Sequence, residues 1–184
     1  RLASDGTSDY GAPPDLGAAE DGSVTYEAWL LKSGAPAATT YVVSESDASA
    51  AAPYFTILID TNGYLGAAFK PAVGSTAYAG LSGPSVCDGS LHHLVVTSNG
   101  SVLKAYVDSV ALALGQATPA GPHAFNATTL GALRISSSLY GKLAGAVVLA
   151  RIYPFAFDQD DVDQNYAAGT GWLEVSTSSV SEVT

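Results

Sequence analysis

The chain has 184 residues, enough for one domain with its own core, and carries 17 acidic against 7 basic side chains for a formal net charge of −10. That balance, with no cluster of lysine or arginine, excludes a nucleic-acid backbone and an anionic membrane surface as natural partners. No apolar run approaches the roughly 20 residues that span a bilayer, so direct membrane insertion is excluded as well.

No signal-like stretch opens the sequence, and a targeting segment is expected to have been removed or to lie in a larger precursor. Cys87 is the single cysteine, which rules out an internal disulfide and a cysteine-rich zinc site and leaves it the role of a small, partly buried filler. Methionine is absent and alanine abundant, so the interior must be built from Val, Leu, Ile, Tyr and Phe on short strands, with small residues where sheets approach.

In chain order, residues 4–23 are rich in Gly, Pro, Asp and Ala and read as an extended opening followed by loops. Residues 24–31 alternate, with Val24, Tyr26, Ala28 and Leu30 on one side and Thr25, Glu27, Trp29 and Leu31 on the other, which is a strand with one charge-free face. A β-branched and aromatic strand follows at 39–44, then a polar connection at 45–52. Strands at 54–60 and 64–70 flank Thr61-Asn62-Gly63, and Asn-Gly between such runs is a strong hairpin signal because it tolerates positive φ. A further short strand is expected at 75–79.

Residues 91–98 and 102–107 form the next hairpin about Asn99-Gly100, and Asp108-Ser109 reverses the chain again into 110–114. A long loop covers 115–129. Strands are expected at 130–135 and 143–153, separated by a polar loop, and Pro154 ends regular pairing by removing a donor. Residues 158–166 are the helical piece, capped by Asp158 or Asp160, with Val162 and Tyr166 four apart and able to dock on a sheet. Residues 171–175 read as a last strand, and the Ser/Thr-rich end as linker or as an arm that pairs with a neighbour.

About ten short strands and one short C-terminal helix exclude a doubly wound fold, which needs long amphipathic crossovers. The expected fold is all-β, a two-sheet antiparallel β-sandwich of the jelly-roll kind. The domain is placed at residues 1–170, with 171–184 as a C-terminal strand or linker tail.

Four segments carry a resemblance. The opening Ser4-Asp5-Gly6-Thr7-Ser8-Asp9-Tyr10 leads into Gly22-Ser23-Val24-Thr25-Tyr26-Glu27-Ala28-Trp29-Leu30, with a small-aromatic pair at Ala28 and Trp29. The central Asp88-Gly89-Ser90-Leu91-His92-His93-Leu94-Val95-Val96-Thr97 precedes Tyr106-Val107-Asp108-Ser109, and 141–153 with Asp160-Asp161-Val162 closes the set. In that order they resemble the concanavalin A-like lectin/glucanase superfamily, more closely its laminin-G-like and pentraxin-like jelly rolls. Two positions depart from that pattern: Leu91 stands for the family's tryptophan, and Ser109 for its turn glycine, which predicts a less strained turn at 108–109.

The fold the resemblance implies hosts lectins, glycanases, adhesion modules and spacers alike, so function must come from sites. Glycoside hydrolysis needs two carboxylates about 5–9 Å apart. No predicted strand carries such a pair: Glu27 stands alone, Glu45 and Asp47 sit in a connection, and Glu174 lies near the tail. His92 and His93 are adjacent in a strand and point to opposite faces, so they are expected to be structural, bonded to backbone, with no nearby acid to complete a triad. The acids at 158–163 suit a helix start. The resemblance implies that calcium can be bound through the opening turn, at Asp5 and Asp9, since hard oxygen ligands suit that ion.

For sugar recognition, which calls for an aromatic platform and a few directed polar groups, the candidates are Tyr10, Tyr78, Tyr140 and Trp172. The leading expectation is a non-catalytic, extracellular recognition module that binds a glycan or a protein surface. The alternative is a structural domain packed against neighbouring subunits of a fibre, surface layer or viral particle. The sequons Asn99-Gly100-Ser101 and Asn126-Ala127-Thr128 are short enough to arise by chance, and the first has a better account as a turn.

Overall fold

The computed structural model describes residues 2–7, 10–12, 23–71, 76–112 and 125–178, with residues 2, 4, 77–80 and 172–178 by backbone alone. Among these residues there are thirteen strands and one helix: β1 (Leu2–Asp5), β2 (Ser23–Ser33), β3 (Thr40–Ser46), β4 (Tyr54–Ile59), β5 (Tyr64–Lys70), β6 (Ala77–Ser85), β7 (Asp88–Asn99), β8 (Leu103–Val107), β9 (Val110–Ala111), β10 (Ala127–Leu130), β11 (Leu133–Ile135), β12 (Ser138–Tyr140), β13 (Ala144–Tyr153) and α1 (Gln159–Ser178). A six-stranded sheet in the order β1-β13-β2-β7-β8-β9 faces a five-stranded sheet in the order β10-β3-β4-β5-β6, and β11 with β12 forms a small hairpin beside them.

The core lies between the sheets because alternation along each strand sends every second residue inward. Val24, Tyr26, Ala28 and Leu30 of β2 meet Phe55, Ile57 and Ile59 of β4 and Leu65, Ala67 and Phe69 of β5, all buried in one cluster. Tyr26 and Phe55 bridge the sheets as stacked rings 4.5 Å apart. The Tyr26 hydroxyl donates to Glu45, a fully buried carboxylate that also accepts from Thr128 Oγ1 at 3.2 Å. A phenol and a threonine thereby satisfy an acid the core could not otherwise hold.

The opposite face of the six-stranded sheet is buried too. In-register pairs set Glu27 beside Val95 and Arg151, and Trp29 beside His93 and Leu149. The segment after β13 and the first turns of α1 cover this face: Phe157 and Val162 pack on Val95 and Tyr106, and Phe157 N donates to Thr25 Oγ1 at 2.9 Å. Tyr166 stacks on Trp29 at 5.9 Å and on His93 at 5.8 Å. A capping box starts the helix, Asp158 Oδ1 accepting from Asp161 N at 3.0 Å and Asp161 Oδ2 from Asp158 N at 3.1 Å.

Several sequence expectations need correction. The helix does not stop near residue 166 but runs to Ser178, so 171–175 is helical rather than a strand; the short segment has no β partner there and continues a helix already nucleated and docked. The single strand expected at 130–135 is two, β10 and β11, belonging to different sheets. The polar loop at 136–142 contains β12, reached by a tight turn with positive φ at Ser136 and Ser137. The turn at 108–109 is not relaxed by serine: Asp108 (φ 49°) and Ser109 (φ 70°) both sit in the left-handed region. Side-chain contacts hold it there, since Asp108 Oδ1 accepts from His93 N at 2.8 Å and the Ser109 hydroxyl donates to Asp163 on α1.

Candidate binding site

Among the cavities of the described residues, two lie next to each other. The first is a groove of about 200 Å³ on the outer face of the five-stranded sheet, lined by Thr39, Tyr41, Tyr54, Leu58, Asp60, Ala68 and Leu81. It follows from strand alternation: Phe55, Ile57 and Ile59 point into the core, so Tyr54 and Leu58 point out, and in-register pairs put Tyr41 beside Leu58 and Lys70 beside Tyr54. The floor is apolar, Leu58 and Ala68 being buried.

The walls have separate origins. Leu81 is exposed and has φ 64°, an unusual conformation for leucine, where β6 slips register against β5. That kink lays its side chain over Gly66, where a Cβ would stand 2.4 Å from Leu81 Cδ2 and 2.8 Å from Leu58 Cδ1. Asp60 is held by its turn: Oδ1 accepts from Asn62 N and Tyr64 N, both at 2.9 Å, and Oδ2 from Asn62 Nδ2 at 3.1 Å. The Lys70 ammonium lies 6.0 Å from the Tyr54 ring centre, a cation–π distance. Two phenol rings and an oriented carboxylate around an apolar floor can hold a small polar ligand with one apolar face.

The second cavity, about 490 Å³, lies at the end of the sandwich where β1, β2, β3 and β13 meet, and is lined by Asp5, Lys32, Thr40 and Lys142 together with the 33–39 loop. Thr39 lines both cavities. The partition between them is Gly141 against Tyr41, whose backbone N donates to Gly141 O at 2.9 Å.

The aromatic residues chosen from sequence are not brought together. Tyr10 and Tyr140 are exposed, at 42% and 49%, and line neither cavity. Tyr78 is the β6 register partner of Ala68, a groove residue, which places it at the groove's edge strand. Trp172 lies on α1, and its side chain is outside the described residues. Asp5 lines the end cavity with Oδ1 accepting from Thr7 N at 2.8 Å, and Asp9 is outside the described residues. Among the described residues no three His, Cys, Asp or Glu side chains gather as a metal site. Tyr41, Tyr54 and Asp60 were missed because strand alternation alone does not reveal which outward face stays open.

The histidines take roles the sequence did not show. Both do point to opposite faces, but their side-chain partners are carboxylates rather than backbone, one of them, Asp88, on His92's own strand. His93 Nε2 donates to Glu27 Oε1 at 2.9 Å, with both side chains fully buried. His92 is clasped by Asp108 Oδ2 at 2.7 Å from Nδ1 and Asp88 Oδ1 at 3.1 Å from Nε2. Burial works against the charged imidazole of His92, yet the bonds and charges of Asp108 and Asp88 outweigh it and raise its pKa. A raised folded-state pKa contributes stability that is complete below the ordinary histidine value, about 6.5, and lost as pH rises through the folded value. Unfolding free energy measured by denaturant titration is therefore expected to decline across that window, and His92→Gln to flatten the slope.

Among the described residues Asp60 is the carboxylate of the groove and Asp5 that of the end cavity, while Glu27 and Glu45 are buried elsewhere. Two antiparallel sheets with a C-terminal helix on one outer face and an aromatic groove on the other define a concanavalin A-like jelly roll.

The chain belongs to the laminin G-type family of the Concanavalin A-like lectin/glucanases superfamily, whose profile matches residues 5–163. No curated protein sequence matches it. Among solved structures it is similar to the Ruminococcus gnavus IT-sialidase CBM40 bound to alpha2,3 sialyllactose, at 12% identity and TM-score 0.65 over 80% of this chain and 84% of that one. It is similar also to a mutant NanB sialidase from Streptococcus pneumoniae, at 15% identity and TM-score 0.70 over 89% of this chain and 27% of that one. A leech intramolecular trans-sialidase aligns at 14% identity and TM-score 0.65, over 79% of this chain and 23% of that one. At such identities the likeness is one of fold.

Proposed function

We propose that this domain is a non-catalytic carbohydrate-recognition module whose ligand sits in the groove of the five-stranded sheet. The observation that carries the reading is the placement of Tyr41 and Tyr54 around an apolar floor with Asp60 at the rim. A pyranose presents C–H groups on one face and vicinal hydroxyls at its edge, so it can stack on a phenol ring while its hydroxyls donate to a fixed carboxylate. The CBM40 to which the fold is similar was solved with sialyllactose, which makes sialylated glycans the first class to try. Such a module works outside the cell or on a surface. No helix among the described residues is long and apolar enough to cross a membrane.

A glycan array followed by calorimetry with the best-bound sugar tests the reading. Tyr54→Ala and Tyr41→Ala are each expected to weaken binding about tenfold, equivalent to about 1.4 kcal/mol. A loss confined to Tyr10→Ala or Tyr140→Ala would move the site to the exposed loop tyrosines. A folded protein that binds no array glycan would remove the reading and favour the assembly-domain alternative.

A further inference from the structure

The end cavity contains two polar groups that the protein itself leaves underused. Lys32 lies at the end of β2 and is only 4% exposed, yet among the described residues its ammonium donates to a single neutral acceptor, the Ala144 carbonyl at 2.9 Å. An ammonium has three N–H donors, and burying one with so little compensation is costly. Thr40, at the start of β3, is 7% exposed, and among the described residues its hydroxyl has no hydrogen-bond partner. Both residues line the same cavity of about 490 Å³.

Lys142 adds a second cation to the lining, its Nζ donating to the Thr7 carbonyl. The remaining wall is the small-residue loop of Gly34, Ala35, Pro36, Ala37 and Ala38, which leaves room for a ligand. Two ammonium groups and the Asp5 carboxylate leave the lining with one net positive charge. A monoanion matches that charge. A doubly charged phosphate would exceed it and press against Asp5.

We infer that this cavity is a binding site for a carboxylate group, held by the Lys32 ammonium and the Thr40 hydroxyl and flanked by Lys142. A carboxylate is acceptor-only and offers two oxygens, so it can take a hydrogen bond from each of the two buried donors at once. The group is borne either by a small organic acid or by an acidic sugar, whose hydroxyls would face the Ser33 and Thr39 side of the cavity. The site rests on different residues from the groove's aromatic pair, so either assignment can fail alone.

The test is an NMR titration of the ¹⁵N-labelled domain with sodium glucuronate, sodium acetate, glucose and sodium chloride at constant ionic strength. Glucuronate and acetate are expected to give saturable shifts of amides at 33–40 and 141–144, while glucose and chloride give none. Tighter binding of glucuronate than acetate supports an acidic sugar as the source; equal binding supports the carboxylate alone. Thr40→Val, which keeps the shape and removes the hydroxyl, and Lys142→Ala, at a partly exposed position, are each expected to weaken acetate binding by about tenfold, the loss of one charge-assisted contact. Lys32→Met is expected to abolish it. The inference is overturned if neither carboxylate gives a saturable shift there, if chloride competes equally, or if Thr40→Val and Lys142→Ala bind as the parent does.

Discussion

Glu27→Ala is expected to lower the unfolding free energy by about 3–5 kcal/mol, the cost of taking a shared charged acceptor away from buried groups that donate to it. The carboxylate is fully buried and accepts from His93 Nε2 at 2.9 Å and Tyr153 Oη at 2.8 Å, with Arg151 Nη1 at 3.4 Å on its open flank. Removing it strips the buried His93 imidazole and the Tyr153 phenol of the carboxylate they share, and water does not easily reach the imidazole. Denaturant unfolding checks the magnitude. Intrinsic fluorescence checks the location, because Trp29 contacts His93 and stacks on Tyr166 of α1 and so reports any loosening of the helix.

The same cluster sets an acid limit. Burial alone would raise the pKa of Glu27, but the bonds from His93 and Tyr153 and the neighbouring positive charge outweigh it and leave the pKa below its ordinary value. A depressed carboxylate pKa contributes stability above the ordinary glutamate value that is lost as pH falls through the folded one. Tyr153 is displaced the other way, to about 12, by burial and by the Glu27 carboxylate it donates to. Glu27→Gln keeps the shape and is expected to remove the acid dependence while retaining part of the loss seen with alanine.

Gly141→Ala is expected to cost about 2–4 kcal/mol, combining left-handed backbone strain with overpacking. Gly141 has φ 51°, and a Cβ there would stand 2.5 Å from the Thr39 carbonyl oxygen and 2.6 Å from the Tyr41 ring. The carbonyl belongs to the chain that enters β3 and has little room to yield. The ring belongs to the groove, so the substitution is expected to weaken glycan binding beyond its effect on folding. Calorimetry at a temperature where the variant remains folded separates the two losses.

The alternation of 24–31, the hairpin about Asn62-Gly63 and the meander through residues 91–111 all lie in the sequence, because each depends on neighbours within a few positions. The ordered segments from Asp5 to Val162 also name the family. The reach of α1 to Ser178 was not legible, since its later residues show no strong helical period and continue a helix started by the Asp158 and Asp161 box.

Glu27 stood alone in the sequence and became the centre of a buried cluster only when β7 and β13 were laid beside β2 in register. His92 found its acids across the turn at 108 and at the start of its own strand. Likewise Tyr41 and Tyr54 became groove walls because α1 covers one outer sheet face and leaves part of the other open. Local propensity and pattern therefore determined the strands, their turns and the fold class. Which outward face is covered, and which groups meet Glu27, depends on contacts between residues 60 to 130 positions apart, and only the packed tertiary structure decided them.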